Sequence, residues 1–289
     1  MRHLLYIVFF IFSINTLSAG GGWPQPKGAL YLKLSEWWII SDQHFTDVGL
    51  IDPNVTTGIF NTSIYAEYGF TDRLTGVVYF PFLSRTYMNN IVSGTTGDVL
   101  IPGEAINTIG DTDVSLKYGL NKKGALRYAA TLTLGLPLGN NAGGTQGNLQ
   151  TGDGEFNQML SFDASTSKKI GKSNIYGTAT VGFNNRNNGF SDELRYGLEA
   201  GIGFSNKLWL IGRLTGIDSF KNGVSAAEST ATSVFANNSE FTSLSAEVAY
   251  YITPKLGISA SYASAVRGEI IFANPSYSVG VFLDLGKDK

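Results

Sequence analysis

Leu126-Arg127-Tyr128-Ala129-Ala130-Thr131-Leu132-Thr133-Leu134-Gly135-Leu136-Pro137-Leu138 is the stretch that decides the fold. Leu126, Tyr128, Ala130, Leu132, Leu134, Leu136 and Leu138 recur at every second position, with Arg127, Ala129, Thr131, Thr133 and Gly135 between them. A helix would scatter these leucines around its circumference, whereas a strand puts all of them on one side. The same alternation returns along the chain. Phe60, Thr62, Ile64, Ala66, Tyr68 and Phe70 oppose Asn61, Ser63, Tyr65 and Glu67, and Leu194, Tyr196, Leu198, Ala200, Ile202 and Phe204 oppose Glu193, Arg195 and Glu199. About twelve such segments begin near residues 28, 58, 74, 110, 125, 155, 174, 192, 207, 240, 255 and 276. An even count suits a single-chain bacterial barrel.

The links between segments alternate in length. Thr71-Asp72-Arg73, Asn121–Gly124, Lys168–Ser173, Ser205-Asn206-Lys207 and Thr253-Pro254-Lys255 are short and polar. Residues 41–57, 88–109, 139–154, 184–191, 221–239 and 268–275 are long and rich in Asn, Gly, Ser, Thr and Asp. Short turns at one rim and long loops at the other are the outer-membrane arrangement, which a soluble sandwich has no reason to adopt. The expected fold is therefore all-β: a transmembrane antiparallel up-and-down β-barrel.

Composition agrees. Only 15% of the 289 residues are charged and 43% are hydrophobic, with a mean hydropathy of +0.02. The hydrophobic share is too high for disorder. Beyond residue 19 no apolar run approaches the roughly 20 residues of a spanning helix. With no Cys, disulfides, thiolate nucleophiles and Cys-ligated metals are excluded. A net charge of −2 offers no basic patch for nucleic acid. Met1-Arg2-His3, the apolar run Leu4–Phe12 and Leu17-Ser18-Ala19 before Gly20 read as a secretory signal peptide over 1–19. Residues 20–289 form the barrel domain, destined for the outer membrane.

Clustered aromatics fit an interfacial girdle: Trp37-Trp38, Tyr65, Tyr68, Phe70, Tyr79, Phe80, Phe82, Tyr118, Tyr128, Tyr196, Trp209, Tyr250-Tyr251 and Tyr277. Glu36 disagrees, since it shares a face with Leu30, Leu32 and Leu34. Either a bulge near Trp37-Trp38 turns it inward, or it lies above the hydrocarbon.

Closure follows from lipid itself, because no water is present to satisfy an open strand edge. The lumen of a twelve-stranded cylinder is intermediate in width. Its expected acidic lining is Glu67, Asp111, Asp113, Asp163, Glu193, Glu199 and Glu247, with Glu269 at the rim. The basic lining is Lys33, Arg85, Lys117, Arg127, Arg195, Arg213 and Arg267. These groups pair across the wall and hold it together, or line a polar passage with mild cation preference, and both can hold at once. Loops 88–109 and 139–154 are the expected gate or plug.

Little in the chain suggests catalysis. His3 leaves with the signal, and His44, at the start of a long loop, has no marked hydroxyl partner for a Ser–His pair. Gly139–Gly144 and Gly152–Glu155 lack a phosphate-loop pattern and open no helix. Asp98, Asp111, Asp113, Asp153 and Glu155 offer oxygen ligands, but without the twelve-residue spacing of a Ca²⁺ loop. Neither a cofactor nor a metal site is expected.

Ile109-Gly110-Asp111-Thr112-Asp113-Val114-Ser115-Leu116-Lys117-Tyr118 resembles the "GxGDxxLxLKY" strand of a family of Gram-negative outer-membrane barrels named for the meta-pathway of phenol degradation. Leu134–Gly139 followed by Thr151–Asn157 is similar to that family's "GLPxG…TGDGxxD" stretch, and Tyr68–Leu74 to its usual turn. The resemblance runs in order through most of residues 60–285. It implies an outer-membrane barrel linked to uptake of hydrophobic or aromatic compounds. Such barrels commonly end in an aromatic residue read by the barrel assembly machinery, whereas here Gly286-Lys287-Asp288-Lys289 follow the last strand. Recognition then rests on internal strand residues such as Phe282, or tolerates the tail. The expected function is that of a monomeric passive channel for a small-molecule solute. The alternatives are a filled structural, adhesive or receptor barrel, and a lipid-modifying enzyme dependent on His44.

Overall fold

The computed structural model describes residues 21–205, 207–224 and 234–286. The segment read as an export signal, part of loop 221–239 and the last three residues lie outside them. Twelve long strands build the molecule: β1 (Leu30–Phe45), β2 (Ile51–Gly69), β3 (Leu74–Met88), β4 (Thr112–Gly119), β5 (Leu126–Leu136), β6 (Asn157–Ile170), β7 (Ser173–Arg186), β8 (Glu193–Phe204), β9 (Leu208–Ser219), β10 (Glu240–Tyr251), β11 (Leu256–Glu269) and β12 (Ser276–Leu285). Each pairs antiparallel with its sequence neighbour. Leu30–Ile39 of β1 also pairs with β12, which closes the cylinder. Among the described residues there is no helix long and apolar enough to cross a membrane.

The burial pattern is that of a soluble protein turned inside out. Leu116, Leu132 and Leu160 are register partners on β4, β5 and β6, and they are 50%, 47% and 46% exposed. Thr131 and Thr133, which flank Leu132 along β5, are buried. Exposed leucines beside buried threonines suit lipid outside and an enclosed polar interior. Tyr68, Phe70, Tyr118, Tyr128 and Tyr250 stand exposed at the short-turn rim. Trp38 stacks on Tyr277 at 5.8 Å toward the other rim. Five of the aromatics read as girdle face inward instead: Tyr65, Tyr79, Trp209 and Tyr251 line the lumen, and Trp37 packs on the interior cluster of Ile39, Ile59 and Phe272.

Two bulges correct the inner-face assignment. Thr62 pairs with Leu83 but Ile64 with Phe80, so β3 carries an extra residue at Pro81-Phe82, where proline has no N–H to give the ladder. Thr242 pairs with Arg267 but Ser243 with Ala265, so Val266 is extra in β11. One added residue sends every later side chain to the opposite face. Arg85 and Arg267 therefore lie on the outer face near the long-loop rim, not in the lumen. Arg85 bonds Asn107 at 3.0 Å, and Arg267 meets Glu240 at 3.0 Å and Asp218 at 3.3 Å.

No bulge turns Glu36 inward, because the register is continuous from Leu30 to Ser41. It stays on the outer face, one row inside Trp38 and Tyr277, and accepts the Thr62 hydroxyl at 2.6 Å. Loop 41–57 is mostly strand, reduced to a turn between Phe45 and Ile51. Above the lipid both faces are wet, so the ladder continues after the alternation that would reveal it has ended. His44 is consequently a strand residue, opposite Asp52 and Phe272.

Candidate functional site

The lumen is the candidate site, and its lower end is closed by a segment that the strand pattern does not reveal. Residues 21–29 cross the barrel inside the short-turn rim. Gly22 N–H donates to Ser165 Oγ at 2.8 Å, Gln25 N–H to Thr75 Oγ1 at 2.8 Å, and Gln25 Nε2 to Glu67 at 2.9 Å. Trp23 buries itself in a cluster with Tyr176, Trp209, Ala249 and Phe282. Trp23-Pro24-Gln25-Pro26 is too proline-rich to be a strand, and its tryptophan requires burial; that was the available signal. Phe282 stacks on Tyr31 and meets Tyr251 edge-on in this interior, so the C-terminal end of the last strand shows lipid Leu283 and Leu285 rather than an aromatic ring.

Above the plug lies a cavity of about 670 Å³. Tyr31, Tyr65, Tyr79, Tyr176, Trp209 and Tyr251 give it an aromatic wall. Charged groups join across that wall. Lys33 meets Glu247 at 3.0 Å, Arg213 meets Glu247 at 2.7 Å and also bonds Glu199, and Glu199 accepts the Tyr176 hydroxyl at 2.6 Å. The chain Lys33–Glu247–Arg213–Glu199 thus ties β1, β10, β9 and β8 together. Glu67 accepts from Gln25 and Tyr65, and Asp163 from Thr180. Lys117 lies buried between Thr75 and Thr131, and Arg127 keeps Nη1 buried with no hydrogen-bond partner among the described residues.

The upper end is capped by loops. Residues 139–156 fold over the inner wall, where Thr86 Oγ1 donates to the Gln150 carbonyl at 2.5 Å and Leu149 and Thr151 are fully buried. Loop 88–109 does not plug the lumen. Glu104–Thr108 extends the wall along β3, and Ile91-Val92 pairs with Val99–Ile101 as a separate ribbon. Asn237 accepts the Ser191 N–H at 2.9 Å, bringing a further loop into the cap.

One cation holds this cap. The Arg186 guanidinium meets Glu155 at 2.7 Å, Glu193 at 2.7 Å and Asp153 at 2.8 Å, and lies 4.4 Å over the Phe190 ring. Arg195 meets Glu193 at 2.7 Å. The Asp111 carboxylate accepts the Gly139 N–H at 2.9 Å and the Asp153 N–H at 2.8 Å. It packs so tightly on Gly152 that a Cβ there has no room. The spacing of Gly-Asp-Thr-Asp and Thr-Gly-Asp-Gly is thereby explained: one supplies the carboxylate, the other the bare backbone that reaches it. Asp113 lies inward opposite Tyr79.

The Asp153 carboxyl is pushed up to about 6, first by burial, then by Asp111 beside it, against the opposing pull of Arg186. A raised folded value means that the folded cap binds protons more tightly than the free loop. Its contribution is full below the ordinary aspartate value and falls as pH rises through about 6. Hydrogen exchange at the Gly139 and Asp153 amides is therefore expected to be slower at pH 5 than at pH 7.5, once corrected for intrinsic exchange. Equal protection at both values would contradict this reading of the pair.

No family model matches the chain, and no curated protein matches it. Solved structures do. It is similar to the COG4313 outer membrane channel from Pseudomonas putida F1 at 15% identity and TM-score 0.59, over 93% of this chain and 100% of that one. It is similar to the NanC porin at 8% identity and TM-score 0.51, over 87% of this chain and 98% of that one. At these identities the likeness establishes the fold.

Proposed function

We propose that the chain is an outer-membrane barrel, exported through its signal peptide and seated by the barrel assembly machinery. It serves as a monomeric passive channel for small hydrophobic or aromatic molecules, without catalysis. The observation that carries this reading is the aromatic-walled cavity of about 670 Å³ that lies above the plug. An aromatic-walled cavity of this size with a few convergent charged groups suits a small organic solute. The resemblance to the meta-pathway family and the folds of the two solved channels support the same reading. His44 sits in a paired strand opposite Asp52 and Phe272, and among the described residues its Nδ1 has no hydrogen-bond partner.

The test is conductance in planar bilayers. The processed chain is expected to give small steps. A variant lacking residues 23–27, which removes Trp23 and Gln25 from the lumen, is expected to give steps several-fold larger. If that variant folds, as judged by heat-modifiable migration, yet stays silent, the barrel is the filled structural or receptor protein instead.

A further inference from the structure

The short-turn rim carries charge of one sign. Lys122 and Lys123 lie in the β4–β5 turn, Lys168 and Lys169 near the end of β6, Lys172 in the β6–β7 turn and Lys207 in the β8–β9 turn, and all six are exposed. Residues 120–126, 168–174 and 203–209 contain no Asp or Glu. Among the described residues none of the six is paired with a carboxylate. The long-loop rim is built differently, since Arg186, Arg195, Lys221 and Arg267 each meet an acid there. Strands β4 to β9 are consecutive in the cylinder, so the six lysines form one arc along half of the short-turn rim.

These lysines are also held at the lipid boundary. Gly171-Lys172 alone joins β6 to β7, so that turn has no length with which to rise from the surface. Leu120, Leu126, Ile170 and Phe204, which lie one to three residues from a lysine of the arc, are all exposed. Lys168 shares the outer face of β6 with the exposed Phe162, and its register partner is Ile175. An apolar band ending in ammonium groups marks a membrane interface, where a lysine stem lies along hydrocarbon while its head reaches outward. Six like charges repel one another, and the protein supplies no acid to offset them. The anions in reach at this depth are phosphodiester headgroups.

We propose that this arc is a seat for acidic phospholipids, whose phosphodiester headgroups the six lysines hold in the leaflet bordering the short turns. The inference rests on the outer-membrane reading and is independent of what the lumen carries. A cluster of four to eight lysines beside a membrane span attracts acidic lipid without a shaped pocket. The arc therefore selects headgroup charge rather than headgroup shape, and it gives the barrel a preferred side for those lipids.

The test reconstitutes the barrel in nanodiscs of phosphatidylcholine alone and of equimolar phosphatidylcholine and phosphatidylglycerol. Native mass spectrometry then counts the lipids retained after mild detergent extraction. From the mixture, phosphatidylglycerol is expected to be retained over phosphatidylcholine by roughly threefold or more. The combined variant Lys122→Gln, Lys123→Gln, Lys168→Gln, Lys169→Gln, Lys172→Gln and Lys207→Gln, folded as judged by heat-modifiable migration, is expected to retain the two lipids equally. The same six positions changed Lys→Arg should keep the preference, and so should Lys221→Gln at the opposite rim. Excess inorganic phosphate should weaken retention no more than chloride at equal ionic strength. Preference that persists in the Gln variant, is lost in the Arg variant, or is abolished by phosphate alone would overturn the proposal, the last by making the arc a site for free phosphate. Folding in both discs with no lipid preference would overturn the proposal alone, whereas failure to fold in either would sink the membrane reading with it.

Discussion

Replacing Arg186 by Met is expected to destabilise the seat of loop 139–156 by about 3–5 kcal/mol, the cost of leaving buried charge unpaired. The Arg186 side chain is only 4% exposed, and its three carboxylate partners are 0%, 6% and 15% exposed. Without it, Asp153 and Glu155 lose the cation that pairs them, and Glu193 keeps only Arg195. The desolvation of three acids would remain while the attraction that offsets it is gone. Amide exchange at Leu149 and Thr151 should rise by roughly two to three orders of magnitude, as every 1.4 kcal/mol is tenfold. Arg195→Met is the control: that side chain is 37% exposed, and partly solvated pairs contribute only about 0–1 kcal/mol. Glu155→Gln on the Arg186→Met background should recover part of the loss, since it removes one unpaired charge. Protection at Leu149 unchanged in Arg186→Met would mean that the cap is held by its backbone and hydroxyl contacts alone.

What could be read from the sequence depended on where lipid imposed a pattern. Inside the hydrocarbon a strand must alternate, so the leucines of β5 and the twelve segments were legible. Above it the constraint ends, and loop 41–57 hid strand pairing up to Phe45 and from Ile51. Parity also propagates errors. Counting from well-marked segments puts Arg85 and Arg267 on the inner face, and one extra residue in β3 and one in β11 reverses each. Pro81 was the available hint for the first, while nothing in Ser264-Ala265-Val266 marks the second. Aromatic rings were ambiguous for a different reason. Tyr and Trp suit a lipid interface and an amphipathic lumen equally, so Tyr68 and Tyr65, three residues apart, point opposite ways. The inner charges could be named as residue types, but their pairing, such as Lys33 with Glu247 across 214 positions, is a property of the closed cylinder.

Leu132→Arg is expected to cost about 2–4 kcal/mol of barrel stability in phospholipid vesicles, because it places a cation at mid-depth on the lipid face. The side chain has no local escape: its register partners are Leu116 and Leu160, both turned to the same lipid, and the short-turn rim lies several residues away. Tyr128→Arg, on the same face of β5 but at that rim, should cost about 0–1 kcal/mol, since charge is tolerated near the interface. Arg85→Leu and Arg267→Leu should behave like rim residues too, if the two bulges have turned them outward above the hydrocarbon. The measurement is the urea midpoint of reversible unfolding in vesicles, taken for all four variants under one condition. The decisive comparison is between Leu132 and Tyr128, because they share strand and face and differ only in depth. Were Leu132 packed within a protein interior, an arginine there would be penalised to the same degree in detergent and in thick or thin bilayers. For a lipid-facing site the penalty should shrink as the bilayer thins and the interface approaches the guanidinium.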